Sequence, residues 1–565
     1  MRRGGLLAFL PALTLAAFLA PVIAGLIGTW LPAFGYFPTL GSESFSLSPW
    51  LALIEQPGLA ESLRLTLISG LLATVTAFLI TVFFLAACHG GRMMLAVRGL
   101  MAPLIAVPHA AVALGLAFLI APSGWLVRLV SPWATGWDLP PDVATIQDPN
   151  ALALTLALVI KEVPFLLLMT LAALEQVRAE ERLAVARSLG YGPVMAWLKS
   201  VLPAVYRQIR LPVYAVLAFS PSVVDMSLIL APLSPPPLAV QVLRWFNDPD
   251  LSMRFVAAAG AALQLIIVIG AIALWRLGEA VVARLGRDWI AGGGRGGSGR
   301  IARGMSGGLL QALVALAASG LLLLAVWSVT WRWRYPDVWP SEVSLETWAR
   351  QAPEIASITG NTLITGIVAA AIALLLVLCC LENEQRRGLT LSNRALWMLY
   401  APLLVPQVAF LFGTQVLAIQ IGIDATWIAL VWSHLLFVLP YVFLTLADPY
   451  RALDDRYART ALCLGARPNR VFFRVKLPML LRPVLFAMAV GFAVSVTQYL
   501  PTLFAGGGRF VTLTTEAVGL AAGGDRRVMG VYAFLQAVLP LIAFAAALAL
   551  PRPLALRRRL GAEAV

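Results

Sequence analysis

The chain has 565 residues, of which 60% are hydrophobic and only 12% are charged, and its mean hydropathy is +0.85. Soluble domains carry charge on about a quarter of their residues, so the composition excludes a water-soluble globular protein and predicts an all-α protein that crosses a lipid membrane many times. The net charge of +14 does not indicate a nucleic-acid partner, because Lys and Arg form short clusters between apolar runs and no continuous basic face.

Twelve apolar runs are long enough to cross the ~30 Å hydrocarbon core of a bilayer, which takes about 20 residues of helix. They lie at 6–29, 62–88, 99–121, 151–174, 211–233, 255–280, 307–330, 359–381, 396–420, 425–447, 479–504 and 528–551. The first run is longer than the apolar core of a cleaved signal peptide, so we expect an uncleaved span, with cleavage as the alternative. The sequence therefore predicts about twelve transmembrane helices.

Positive charge is concentrated in alternate connections between these runs. If the N-terminus is cytoplasmic, the inside connections with their span ends hold 31 of the 42 Lys and Arg residues and the outside ones hold 10, while Lys161 lies within a span. Loops rich in Lys and Arg stay on the cytoplasmic side. We therefore expect a multi-pass protein of the bacterial inner (plasma) membrane with both termini in the cytoplasm.

A Gly-rich segment, Ala291–Arg300, has the composition of a flexible linker and separates two similar halves. Pro108-His109 before Gly115 recurs as Pro406-Gln407 before Gly413, 298 residues later. We predict a first half at 1–286 with its core at about 62–280, a linker at 287–306, and a second half at 307–565 with its core at about 359–551. An even number of spans separates the repeats, so both halves have the same orientation, unlike inverted-topology repeats.

Two basic loops are the strongest repeat. They read EERLAVARSLGYGPVMAWLKSVLP at 180–203, called here the first basic loop, and DRYARTALCLGARPNRVFFRVKLP at 455–478, the second basic loop, 275 residues apart. In each, a Leu-Gly pair ends a helical stretch, and the proline of a Leu-Pro pair follows thirteen residues after the glycine. Glycine suits a helix C-cap with positive φ, and proline suits the first turn of a helix. We predict that each loop runs as a helix, a turn, a short helix and then a span. The offset between the halves falls from 298 residues at Pro108 to 275 at these loops, so the first half has 23 extra residues, which lie within the outside loop 122–150.

Both loops resemble the EAA loop of the MetI-like permeases, the type I family of ABC importers. That pattern is Glu-Ala-Ala, three residues, Gly, nine residues, an aliphatic residue, any residue and Leu-Pro. The matching positions are Gly190, Leu202 and Pro203 in the first basic loop, and Gly465, Val475, Leu477 and Pro478 in the second. Ala184, Ala186 and Ala461 stand at positions of the Glu-Ala-Ala motif and are counted with these residues as candidate ATPase-coupling positions. The departures are Ala184-Val185-Ala186 and Arg459-Thr460-Ala461 in place of Glu-Ala-Ala, and Ser200 in place of the aliphatic residue.

The resemblance implies a permease of two tandem six-helix halves that forms the translocation path of an ABC importer. In that family the loop helix docks on a cytoplasmic ATPase subunit, and a periplasmic binding protein delivers the substrate. The chain has no G-x-x-x-x-G-K-[ST] phosphate loop, so we expect no enzymatic activity and no cofactor in it, and a separate ATPase in two copies. The alternative is that each loop is only a positively charged connector with a helix cap.

Ionisable residues also interrupt the apolar runs. Lys161, Glu162 and Asp225 each cost at least ~2.5–3.5 kcal/mol at the centre of a span on insertion scales. Lys161 and Asp225 lie at similar depths in their spans, so we expect them to pair or to share a polar cavity. Gln498 aligns with Asp225 when segment 222–226 of the first half is aligned with segment 495–499 of the second. These four residues are the candidates for a translocation pathway, and no metal ligands are expected.

Two other classes of function remain open. An ion-coupled secondary transporter of twelve spans would explain the hydropathy and the intramembrane charges, but not the two matched basic loops. A membrane enzyme would need a catalytic cluster, and no histidine or carboxylate spacing indicates one. For an importer, segment 501–536 is similar to the thiamine and ferric-iron branch of fused permeases, while polyamine, sulfate and phosphonate remain alternative substrates.

The charge asymmetry predicts the topology. Fusions of a reporter that is active only in the cytoplasm should be active at Arg300 and Val565, because positive connections are retained inside. The same reporter fused at Trp137, in a predicted outside loop, serves as the control and should be inactive. Activity of a periplasmic reporter at Arg300 would contradict this orientation.

Overall fold

The computed structural model describes residues 6–91, 93–94, 97, 104–389 and 393–550, without the side chains of 393–397. The α-helices of the first half are Leu10–Ala33, Ser48–Ile54, Leu59–Cys88, His109–Ile120, Trp125–Val130, Leu152–Gln176, Ala179–Ser188, Pro193–Ala196, Leu202–Phe219, Asp225–Leu230, Leu238–Phe246 and Met253–Ala291. Those of the second half are Arg300–Ser328, Glu346–Arg387, Asn393–Leu404, Leu411–Gln420, Trp427–Arg451, Asp455–Cys463, Pro468–Val471, Leu477–Met479, Leu481–Val496, Leu500–Gly506, Leu513–Leu520 and Arg526–Ala549. A small antiparallel hairpin pairs strand Thr330–Arg332 with strand Glu342–Val343.

Nine of the described helices are long and apolar enough to cross a membrane. A tenth span results if Pro468–Met479 and Leu481–Val496, which meet at a bend of 77°, are counted as one. The prediction of an all-α, many-pass membrane protein is confirmed. The number of about twelve continuous spans is too high for the described part of the chain.

Two predicted spans, 211–233 and 396–420, are each broken at a proline. Pro221 lies in the 3₁₀ turn Ser220–Ser222, which follows the helix ending at Phe219. Pro406 has extended backbone, with φ −53° and ψ 134°, two residues after the helix that ends at Leu404. Proline has no N–H to donate and its ring clashes with the preceding turn, so the helix stops there. The remaining pieces are too short to cross a bilayer singly.

The first long helix of each half packs against the other half. Leu10–Ala33 lies along Leu411–Gln420, and Arg300–Ser328 lies in the same way along His109–Ile120. Because these helices cross between the halves, the buried apolar residues form two clusters, each of which contains residues from both halves. Neither half therefore has a hydrophobic core made only of its own residues.

Glycines stand where the helices of the two halves cross, because the crossing backbones are in direct contact and leave no room for a side chain. A Cβ atom added to Gly28 would lie 2.9 Å from the Cα of Gly413, and one added to Gly115 would lie 2.7 Å from the carbonyl carbon of Gly320. Small residues permit such close helix crossings in membranes, where van der Waals packing replaces the hydrophobic effect as the main attraction. The Gly115 and Gly413 that the sequence repeat identifies therefore occupy equivalent crossing points.

Enlarging either crossing should destabilise the protein. Gly115→Val and Gly413→Val should each cost about 1–3 kcal/mol through overpacking, seen as a lower melting temperature of the purified protein in detergent. Gly270→Val is the control, because an added Cβ at this helical glycine meets no atom within 4 Å. Equal melting temperatures for all three variants would contradict this account of the crossings.

Candidate functional site

The two basic loops have the same backbone course. Their first helices, Ala179–Ser188 and Asp455–Cys463, are each followed by a glycine in the left-handed region, with φ +82° at Gly190 and +83° at Gly465. The N–H of Tyr191 donates to the carbonyl of Ala186 at 3.2 Å, and in the second loop the N–H of Ala466 donates to the carbonyl of Ala461 at 3.0 Å. This is the Schellman form of helix end, so the Leu-Gly pair has the C-cap geometry predicted for it.

The later parts of the loops also correspond at an offset of 275 residues. Short helices begin at Pro193 and Pro468, and each continues through one π-helical turn, Trp197–Val201 and Phe472–Lys476. The next helices begin at Leu202 and Leu477, with Pro203 and Pro478 in second position, where a missing N–H costs nothing. The loops then diverge, because the first continues as one helix to Phe219 while the second bends after Met479.

An exposed leucine stands at the tip of each basic loop. Leu189 and Leu464, the residues before the two glycines, are 59% and 83% exposed, and Val185 on the first loop helix is 62% exposed. The EAA-like positions differ in exposure: Ala184 is exposed, Ala186 is buried, and Ala461 and Val475 are half-buried. Each loop thus presents an apolar tip beside charged side chains, as expected of a surface that docks on another protein.

The linker lies on the first basic loop. The N–H of Gly192 donates to the carbonyl of Arg295 at 2.8 Å, and the ammonium of Lys199 stands 4.8 Å from the ring centre of Trp289. A Cβ atom added to Gly190 would lie 3.6 Å from the Arg295 side chain, whereas one added to its counterpart Gly465 in the second loop meets nothing within 4 Å. The segment outside helices is shorter than the predicted 287–306, because one helix continues to Ala291 and the next begins at Arg300.

The second basic loop is held by a buried ion cluster instead. The ammonium of Lys476 donates to the Glu382 carboxylate at 2.8 Å and to the Gln385 side chain at 2.6 Å. Arg386 and the hydroxyl of Tyr450 donate to the same carboxylate. Sequence reasoning missed this cluster. The available signal was a lysine two residues before the proline of the Leu-Pro pair, where the first loop has a valine.

The candidate pathway residues line a cavity of about 250 Å³ between the halves. Both broken spans contribute to its wall. Its polar lining consists of His109, Lys161, Glu162, Ser222, Asp225, Gln407, Tyr441, Thr497, Gln498 and Tyr499. The structure thus brings Lys161, Glu162, Asp225 and Gln498 to one space, and no residue of either basic loop lies in its wall.

Lys161 donates to backbone rather than to a carboxylate. Its ammonium lies 3.2, 3.3 and 2.7 Å from the carbonyl oxygens of Leu104, Ile105 and Val107. These carbonyls precede Pro108, which has no N–H for the carbonyl four residues before it. The lysine therefore satisfies acceptors that the break in the helix leaves open.

The alignment of Gln498 with Asp225 is wrong by two residues. The predicted span 479–504 is also interrupted, because one helix ends at Val496 and the next begins at Leu500. The helices that follow this break and the break at Pro221 begin at Leu500 and at Asp225, which are 275 residues apart, the offset of the basic loops. The sequence alignment matched Ser222 with Ser495, but Ser222 lies in the 3₁₀ turn while Ser495 lies inside a helix. Asp225 therefore corresponds to a leucine, and Gln498 lies in the break itself.

Known proteins share these features. Residues 382–551, which include the second basic loop, match the family described as binding-protein-dependent transport system inner membrane component. The inner membrane ABC transporter permease protein YnjC of Escherichia coli is 33% identical over 513 residues, covering 90% of this chain and 91% of that protein. The chain belongs to the family of inner-membrane ABC transporter permeases. It is thus a multi-pass inner-membrane transport subunit, and ABC permeases in general work with ATPase and substrate-binding partners.

Other relatives match shorter segments of the chain, and their names state different substrates. The putrescine transport system permease protein PotI of Escherichia coli is 28% identical over 128 residues, 22% of this permease and 46% of that protein. The molybdenum transport system permease protein ModB of Mycobacterium tuberculosis is 28% identical over 215 residues, 36% of this permease and 78% of that protein. One name states putrescine and the other molybdenum, so these relatives leave the substrate of this permease open.

The ion cluster under the second basic loop should be important for stability. Glu382→Ala leaves Lys476 buried without its carboxylate and should cost about 3–5 kcal/mol, measured as a fall in melting temperature in detergent. Glu384→Ala on the same helix is the matched control, because its partner Arg451 is partly exposed and such pairs contribute about 0–1 kcal/mol. Equal shifts for the two variants would refute a special role for Glu382.

Proposed function

We propose that this permease is a fused double permease, which forms the translocation path of an ABC importer and receives one ATPase subunit on each basic loop. The observation that carries the proposal is the repeated loop: the same helix, left-handed glycine, short helix and Leu-Pro start, at one constant offset. A connector that only carried positive charge would need no such repeated geometry. The exposed tips at Leu189 and Leu464 supply apolar surface for docking.

Each basic loop is joined directly to a wall of the cavity. The helix that begins at Leu202 leads to Phe219 and Asp225, and the chain that begins at Leu477 leads to Gln498 and Leu500. Closure of two ATPase subunits would move the loops, and the helices that follow them would move the cavity walls. This is the mechanical link by which ATP hydrolysis outside the chain drives transport through it.

For the substrate, we propose a small solute delivered by a periplasmic binding protein, with thiamine as the first candidate. The support is the likeness of segment 501–536 to the thiamine branch. Ferric iron, a polyamine, sulfate or a phosphonate would be carried by the same mechanism. Identifying the ligand that co-purifies with the cognate binding protein decides among them.

Coupling should depend on the loop glycines. Gly190→Val and Gly465→Val place a β-branched residue at positive φ, with about 1–3 kcal/mol of strain, and tilt the docking helix. We expect inserted protein in which solute uptake, and the ATP hydrolysis stimulated by loaded binding protein, fall together. Gly422→Val is the control, because Gly422 has φ +74° and an added Cβ there meets nothing within 4 Å, far from both loops along the chain.

Three outcomes would contradict the proposal. Unaltered uptake by both loop variants would show that the loops do not couple to the ATPase. An equal loss in Gly422→Val would attribute the defect to backbone strain alone. Uptake by the reconstituted chain that needs neither ATP nor another subunit would favour the alternative class, an ion-coupled secondary transporter.

A further inference from the structure

We infer that the cavity between the halves is a binding site for small organic cations. This inference rests on the importer function proposed above, and it narrows the substrate of the permease to one chemical class. Among the described residues, the cavity lining includes three side chains with a formal charge, and all belong to the first half: Lys161, Glu162 and Asp225. Their formal charges sum to one excess negative charge. The question is which of these charges is available to a ligand.

The lysine is not available. An ammonium group has three N–H donors, and the carbonyls of Leu104, Ile105 and Val107 accept from the Lys161 nitrogen. Withdrawing it from these carbonyls would leave buried acceptors without donors, at a cost in free energy that an anionic ligand would have to offset. Lys161 thus stabilises the broken helix and offers no free donor to an oxyanion.

The carboxylates are available. Glu162 and Asp225 are 5% and 9% exposed, and within the described part of the chain no side chain donates a hydrogen bond to either. The Asp225 carboxylate accepts from the backbone N–H groups of Asp225 and Met226, which carry no charge to neutralise it. The side-chain oxygen of Gln498 is also buried without a hydrogen-bond partner, while its nitrogen donates to the carbonyl of Val494. Buried charges are expensive unless they are paired, so these acceptors favour a ligand that brings positive charge and N–H donors.

The rest of the wall suits the same ligand. Phe219, Phe437, Tyr441 and Tyr499 line the cavity, and aromatic faces attract organic cations through their quadrupoles. A volume of about 250 Å³ limits the solute to a small one. At the offset of 275, the second half places Leu436, Phe437 and Leu500 where the first half has Lys161, Glu162 and Asp225. The first half therefore supplies the formal charges, while the second half supplies amide groups and three of these four aromatic rings.

A charge-selective thiol reaction tests the site without any need for transport. In the full chain with its four native cysteines replaced, single cysteines at Ser222→Cys and Thr497→Cys face the cavity from its two sides. We expect a trimethylammonium methanethiosulfonate to react about tenfold faster than the sulfonate reagent, because a cleft of one sign concentrates the opposite ion. Adding Glu162→Gln or Asp225→Asn should reduce that ratio.

The control retains only the native Cys463, which is exposed in the second basic loop and should show no preference for the cationic reagent. Equal rates at the two cavity positions, a faster sulfonate reagent, or a ratio unchanged by the neutral isosteres would overturn the cation site. Absence of reaction with both reagents would overturn it as well, because the cavity would then not admit a solute of this size.

Transport separates this inference from the importer function. With its ATPase and binding protein in proteoliposomes, the permease should take up thiamine or spermidine, and Glu162→Gln with Asp225→Asn should lower that uptake at least about tenfold. Uptake of molybdate instead, driven by ATP, would overturn the cation site and leave the importer function standing. If ATP hydrolysis never responds to the binding protein while the thiol reaction remains cation-selective, the importer function fails and the cation site stands.

Discussion

The close crossing of helices from opposite halves is the contact on which the rest of the structure depends. Leu10–Ala33 and Arg300–Ser328 each pack on the last long helix of their own half and also cross onto the other half, with Gly28 against Gly413 and Gly320 against Gly115. A larger side chain at any of these glycines would separate the backbones. Each hydrophobic cluster includes residues of both halves, so two separate clusters hold the interface between the halves together. The central cavity lies at that interface.

Breaks in the spans supply the cavity with its polar wall. Within a membrane, backbone groups that leave a helix are tolerated only where protein or a water-filled space satisfies them. At the break before Pro108 the satisfying group is the Lys161 ammonium, which explains why a lysine is retained deep within a span. Two other breaks, after Phe219 and after Val496, carry Asp225 and Gln498 to the cavity. The interruptions that stop the helices therefore also place the polar groups.

The two basic loops share a backbone and differ in what supports it. The first lies under the linker, through Gly192 and Arg295, while the second rests on the buried cluster of Glu382 and Lys476. In a pair of identical subunits both loops would have the same supports. Here each basic loop has its own support, so a substitution at one loop need not have the same effect as its counterpart at the other.

The amino-acid sequence by itself determined the membrane class, the repeat and the course of the basic loops, because hydropathy, charge and turn-forming glycines are local properties. It also singled out Lys161, Glu162, Asp225 and Gln498, which the structure places at one cavity. It predicted too many continuous spans, since hydropathy runs through Pro221 and Pro406 without showing that the helix ends there. Only the tertiary structure decided which helices cross between halves, which acceptors Lys161 satisfies, and that Glu382 supports Lys476. These contacts join residues from tens to hundreds of positions apart in the chain, and their pairing depends on the fit of whole helices, which no short stretch of sequence contains.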